Sequence, residues 1–170
     1  MLSGLGHPVI GPDHLIAVIA VGCIAALHRR GATLAVGYVL AMIVGVALHV
    51  RGTTVPGAEL LVALSVLLLG AVMIWRQPVN AGVVIGLFAI TGLVHGYALG
   101  ESIVGAEPTP LVSYFVGLAM IQSLIALVVF KLARLIVAPG MGTRLLLRVA
   151  GAAVAVVGAI GLVGQFMNGA

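Results

Sequence analysis

Charge is scarce in this sequence. Of its 170 residues only 7% are Asp, Glu, Lys or Arg, and only four are acidic, against about 25% charged residues in an average soluble chain. That scarcity excludes an ordinary water-solvated surface. With 62% hydrophobic residues and a mean hydropathy of +1.32, the chain reads as an integral membrane protein. Aromatic residues make up 5%, and no basic patch is interleaved with them, so nothing suggests a nucleic-acid partner. The single cysteine, Cys23, excludes an intrachain disulfide and a closed thiolate zinc cage. It lies inside an apolar stretch and is expected to be a small packing residue. Ten-residue segments of alternating polarity are missing too, which argues against a membrane β-barrel. There is no HExxH, no nucleotide-binding motif and no nucleophile turn at Ser102, the serine near His95, so no enzyme is expected.

What remains is apolar text broken by Gly, Pro and charge. Six stretches, at about 13–28, 32–50, 57–75, 79–99, 110–137 and 145–166, are the expected membrane-spanning helices, because lipid requires backbone polar groups to pair within the segment. Connections such as "HRRGA" and "RQPVN" are too short for a soluble module, so residues 1–170 are expected to form a single transmembrane domain, an all-α bundle of six helices. Met1 to Gly11 has neither a basic start nor an apolar core, and no separate signal peptide is read there. Counting alternate loops puts Arg29, Arg30, Arg76, Lys131, Arg134, Arg144 and Arg148 on one side and only Arg51 on the other. The positive-inside rule makes the first side cytoplasmic and leaves both termini extracytoplasmic. The net charge of +4 is thus a topology signal.

The acidic residues Asp13, Glu59, Glu101 and Glu107 all fall on the outer half, with His7, His14, His49 and His95; only His28 lies inside. Carboxylates and imidazoles around a low-dielectric mouth focus a field that concentrates cations. One cluster is "GHPVIGPDH", holding His7, Asp13 and His14. Asp13 after Pro12 has an alternative reading as a helix N-cap. Side chains at adjacent helical positions point about 100° apart, so one of Asp13 and His14 is expected to bind an ion while the other orients or captures. The second cluster is "VHGYALGESIVGAE", where His95 comes to the depth of His14 when the first and fourth helices are laid antiparallel. Glu101 is six residues beyond His95, on another face of an unbroken helix, and Gly96 and Gly100 are expected to let the helix unwind and turn it back. Imidazole with carboxylate suits first-row divalent metals: nickel, cobalt, zinc or copper. Further candidates are His49 and Glu59 at the loop "VRGTTVPGAE", where Arg51 offers Glu59 an ion-pair partner, and Gln122 in the fifth span, which lines a path or bonds a neighbouring helix. Gly82 and Gly86, and Gly151, Ala155 and Gly158, have the small-xxx-small spacing of close helix packing.

At these two clusters the chain resembles the HupE/UreJ family of nickel/cobalt permeases. The family's pattern H-x5-D-H is met by His7, Asp13 and His14, and F-H-G-x-[AV]-x-G-E by His95, Gly96, Ala98, Gly100 and Glu101, with Val94 in place of the phenylalanine. The resemblance implies a multi-pass protein of the bacterial inner membrane that takes up Ni2+ or a similar ion, with His7, Asp13, His14, His95 and Glu101 as functional residues. The ion is then a transported substrate (Ni2+, Co2+ or Zn2+) with no tightly bound cofactor. The partners are that ion and the lipid bilayer, and the oligomeric state is left open. A competing reading makes His14 and His95 the axial ligands of a haem in a membrane electron carrier.

Overall fold

The computed structural model describes residues 11–75, 77–103, 108–136 and 141–168. Six α-helices account for most of them: α1 Pro12–Ala26, α2 Gly31–Val50, α3 Ala58–Ile74, α4 Ala81–Gly100, α5 Pro108–Ile136 and α6 Met141–Asn168. A 3-10 turn, Glu101–Ile103, follows α4. Among the described residues there is no strand. The helix limits fall within about two residues of those read from the sequence, except that α6 starts four residues earlier. Four helical stretches, in α2, α4 with its 3-10 extension, α5 and α6, are long and apolar enough to cross a membrane; α1 and α3, of 15 and 17 residues, are shorter apolar helices.

Local chemistry explains the helix starts. Pro12 occupies the first turn of α1, where a missing N–H is harmless, and Gly11 is the N-cap. Asn80 caps α4 by accepting a hydrogen bond from the Gly82 N–H at 2.7 Å. Asp13 is therefore not a cap residue: no side chain caps α1, and the carboxylate lies in the first turn, on the favourable side of the helix dipole.

The bundle is assembled from tight pairs made where glycine removes a side chain. A Cβ on Gly96 would lie 1.8 Å from the Met42 carbonyl oxygen, one on Gly45 2.1 Å from that of Leu93, and one on Gly92 2.6 Å from that of Tyr38, so α2 and α4 run parallel with their backbones touching. Gly70 and Gly158 bring α3 and α6 together antiparallel, against Ala155 and Leu67 respectively. Gly22 seats α1 on Ala126 and Val129 of α5. This corrects the reading of Gly82 and Gly86. Nothing lies within 4 Å of a Cβ on Gly86, and only the capping Asn80 side chain is near Gly82, so neither makes a helix contact. The seam glycines of α4 are Gly92, Gly96 and Gly100.

Outward faces are apolar all round the bundle. Leu40, Leu68, Ile90, Leu124 and Ile160 are each more than half exposed. Water would make such a surface an aggregation hazard, whereas hydrocarbon solvates it. Charge is sorted by end. Arg29 and Arg30 follow α1, Lys131 and Arg134 end α5 just beyond Phe130, which abuts Gly31, and Arg148 shares a cavity with His28 and Trp75. At the opposite end stand Asp13, Glu59 and Glu101. Cys23 is half-buried and packs against the core.

Candidate functional site

The acidic end opens into a cavity of about 360 Å³ lined by Asp13, His14, Glu59 and Glu101, with Gln165 and small or aliphatic residues of α3 and α6. Beside it, the two imidazoles expected to meet do so. The rings of His14 on α1 and His95 on α4 approach to 5.0 Å between centroids, in an edge-on arrangement at 74°. His14 is buried and His95 has no exposed surface. Helix register makes this meeting possible: α1 and α4 run in opposite directions, and each carries its imidazole toward the acidic end.

Asp13 and His14 also turn toward each other. The His14 Nδ1 lies 3.0 Å from Asp13 Oδ1. Nδ1 makes no well-formed hydrogen bond there, so the pair is a close contact between a donor-or-acceptor nitrogen and a carboxylate oxygen. The Asp13 side chain remains about 43% exposed, at the cavity mouth, while that of His14 is 11% exposed. The result is a line from a half-solvated carboxylate through His14 to the enclosed His95.

Behind His95 stands a residue that the sequence did not single out. Ser65 of α3 places Oγ 2.7 Å from His95 Nε2, and the same hydroxyl donates to the Val62 carbonyl at 2.7 Å. The other ring nitrogen, His95 Nδ1, is buried without a partner. Tyr38, also missed, has its ring 6.5 Å from that of His95 and 6.0 Å from that of Phe88, and its buried hydroxyl has no partner. The only signal for either was a polar atom inside an apolar run. Gln122 has no exposed surface, and neither its amide oxygen nor its nitrogen finds a hydrogen bond. Unpaired polar atoms at such depth are expensive, at about 1–3 kcal/mol each, and each calls for an explanation.

The remaining candidates divide. Glu101 reaches the cavity wall, but not by unwinding: α4 is continuous through Gly96 to Gly100, and Glu101 opens the 3-10 turn that follows. Gly96 and Gly100 serve close packing against Met42 and His49 instead. Glu59 lines the cavity and accepts a 2.7 Å hydrogen bond from Gln165 Nε2, which takes the place of the expected Arg51 ion pair. His49 does not line the cavity; it packs on Tyr97 at 4.3 Å between ring centroids, with Nδ1 buried and unpartnered. Tyr97 in turn ties down the α2–α3 loop, donating to the Thr53 carbonyl and accepting from the Val55 N–H, both at 2.8 Å. His7 lies outside the described residues.

Among the described residues, no three His, Cys, Asp or Glu side chains close into a ready-made metal cage. The donors nearest to one another are the imidazoles of His14 and His95 and the carboxylate of Asp13. Haem does not suit them: rings in edge contact at 5.0 Å leave no slot for a macrocycle between two axial ligands.

Comparison with known proteins agrees with the motifs. A family model described as HupE / UreJ protein matches residues 1–161. Protein HupE of Rhizobium leguminosarum bv. viciae is 31% identical over 166 residues, covering 96% of this chain and 84% of that protein. No solved structure matches the chain. A family model over residues 1–161 and a relative 31% identical over 96% of this chain decide the matter: the chain belongs to the HupE/UreJ family.

Proposed function

We propose that this protein is a permease for divalent transition-metal ions, Ni2+ or Co2+ foremost, which captures the ion at the acidic end and releases it at the basic end. One observation carries the reading: His14 of α1, beside Asp13, meets His95 of α4 next to a cavity lined by Asp13, His14, Glu59 and Glu101. In this reading all six helices span the inner membrane of a bacterium. The Arg-rich end faces the cytoplasm, and both termini lie outside.

The steps follow from the geometry. Glu59 and Glu101 raise the local cation concentration in the mouth. Asp13 and His14 then replace part of the hydration shell, and the ion comes within reach of His95. Two imidazoles and a carboxylate form an incomplete coordination sphere for a first-row dication, and incompleteness suits transit, since a route must bind well enough to admit the ion yet weakly enough to release it.

Gln122 supplies the next oxygen inward. Parallel packing of α1 and α5 sets Gly22 against Ala126. With about 1.5 Å rise per residue, Gln122 lies roughly 6 Å deeper than His14. A permeating ion or its water gives the Gln122 amide the partner it lacks within the protein.

Flux into liposomes tests the proposal. Wild type should carry Ni2+ and Co2+ inward, with Zn2+ as the comparison ion, and His14→Ala and His95→Ala should each abolish flux while leaving detergent-solubilised protein folded. Unchanged flux in either variant would remove the imidazole pair from the route.

A further inference from the structure

We infer that Ser65 is a positioning residue that fixes the tautomer of His95, so that Nδ1 is the nitrogen offered to the cation. The inference rests on the permease reading for its purpose, but its geometry is independent. A serine hydroxyl has one proton and can accept at its lone pairs, whereas a carbonyl oxygen only accepts. The Ser65 Oγ contact with the Val62 oxygen, at 2.7 Å, therefore uses the only hydroxyl proton. The second contact, from Ser65 Oγ to His95 Nε2 at 2.7 Å, must then carry a proton on the nitrogen. The reverse assignment would leave the hydroxyl and carbonyl oxygens facing each other at 2.7 Å with no hydrogen between them. Only one arrangement makes both contacts attractive: His95 Nε2–H donates to Ser65, and Ser65 donates to Val62.

A neutral imidazole carries one proton, so Nδ1 is left as a bare lone pair. Nδ1 is the buried ring atom without a partner, on a ring in edge contact with His14. A metal ligand needs a lone pair in place of a proton, and a hydrogen bond at one imidazole nitrogen decides which of the two has it. Ser65 is itself satisfied within α3, since Val62 precedes it by three residues in the same helix. Its hydroxyl is thus oriented before His95 meets it. Without it, Nε2–H would be buried with no acceptor, and the ring would be free to turn or exchange tautomers.

The test combines nitrogen NMR with metal binding. In histidine-15N-labelled protein in detergent without metal, the His95 resonances, identified by their loss in His95→Gln, should show a protonated Nε2 and an unprotonated Nδ1. Ser65→Ala should lose that single-tautomer signature and bind Ni2+ about 10–100-fold more weakly, the usual effect of removing a group that orients a metal-binding histidine. Ser65→Thr, which keeps the hydroxyl, should restore both. A protonated Nδ1 in the wild type overturns the inference without needing any Ser65 variant. So does Ser65→Ala binding Ni2+ as tightly as wild type. Wild type that shows the expected tautomer but binds none of Ni2+, Co2+ and Zn2+ would refute the permease reading and the role assigned to Ser65 within it, while leaving the tautomer assignment standing.

Discussion

Replacing Gly96 by alanine tests how the site is held together. The added Cβ would sit 1.8 Å from the Met42 carbonyl oxygen, 2.6 Å from its carbon and 2.8 Å from its Cα, whereas ordinary contact begins near 3.4 Å. A main-chain carbonyl inside a helix cannot swing aside, so α2 and α4 must separate by about 1.6 Å at this level. Overpacking of this kind costs typically 1–3 kcal/mol, and the upper end applies because backbone meets backbone. Against it stands the better helix propensity of alanine, about 1 kcal/mol. The net loss is about 2 kcal/mol, or an apparent Tm lower by roughly 4–8 °C at about 2–4 °C per kcal/mol. His95 is the preceding residue, and a 2.7 Å hydrogen bond to Ser65 does not survive a shift of that size, so Ni2+ affinity and liposome flux should fall together. Gly86→Ala is the control on the same helix. Open space surrounds that position, so only the propensity gain applies, and the protein should melt slightly higher with unchanged flux. The assay is thermal unfolding in detergent beside flux for both variants. If Gly96→Ala melted at or above the wild type and transported normally, the close seam between α2 and α4 would be wrong.

Three further outcomes are expected. Glu59→Gln combined with Glu101→Gln should slow Ni2+ uptake most at low ionic strength, and the deficit should shrink as salt shortens the Debye length from about 30 Å at 0.01 M to 10 Å at 0.1 M; a deficit indifferent to salt would contradict electrostatic capture. Gln122→Leu should leave the fold as stable or more so, because it removes buried polar atoms that have no partner, while reducing flux; a clear drop in Tm would instead make the amide a structural bond. Imidazoles bind metal only when neutral, so flux should rise with pH. Flux should therefore fall where the medium is acid enough to protonate either ring, and flux that holds at every pH the fold survives would count against imidazole ligands.

Asp13, His14 and His95 could be read from the sequence because ionisable groups at the edge of apolar runs are costly in a membrane and therefore informative on their own. Helix directions followed from loop length, and with them the meeting of His14 and His95. Ser65 could not be read in the same way. A serine that bonds the carbonyl three residues back looks like any small residue in a helix, and its second partner comes from α4, thirty positions away. Glycine spacing failed for a related reason. Gly82 and Gly86 have the same four-residue interval as Gly92, Gly96 and Gly100, and only the rotation of α4 about its axis decides which set meets a neighbour. The expected unwinding at Glu101 assumed that glycine meant flexibility, where here it means proximity. Glu59 found Gln165, a residue over a hundred positions away, before the sequence neighbour Arg51.

Each glycine seam welds two helices into one body: α2 to α4, α3 to α6, α1 to α5. His95 belongs to the first body, Ser65 to the second and His14 to the third, so the three polar groups meet where the bodies adjoin and not inside any of them. Sliding or tilting between bodies is the movement this construction leaves open. Any such movement alters the spacing of His14, His95 and Ser65, so under the proposed permease reading a shift between bodies would loosen the hold on the ion.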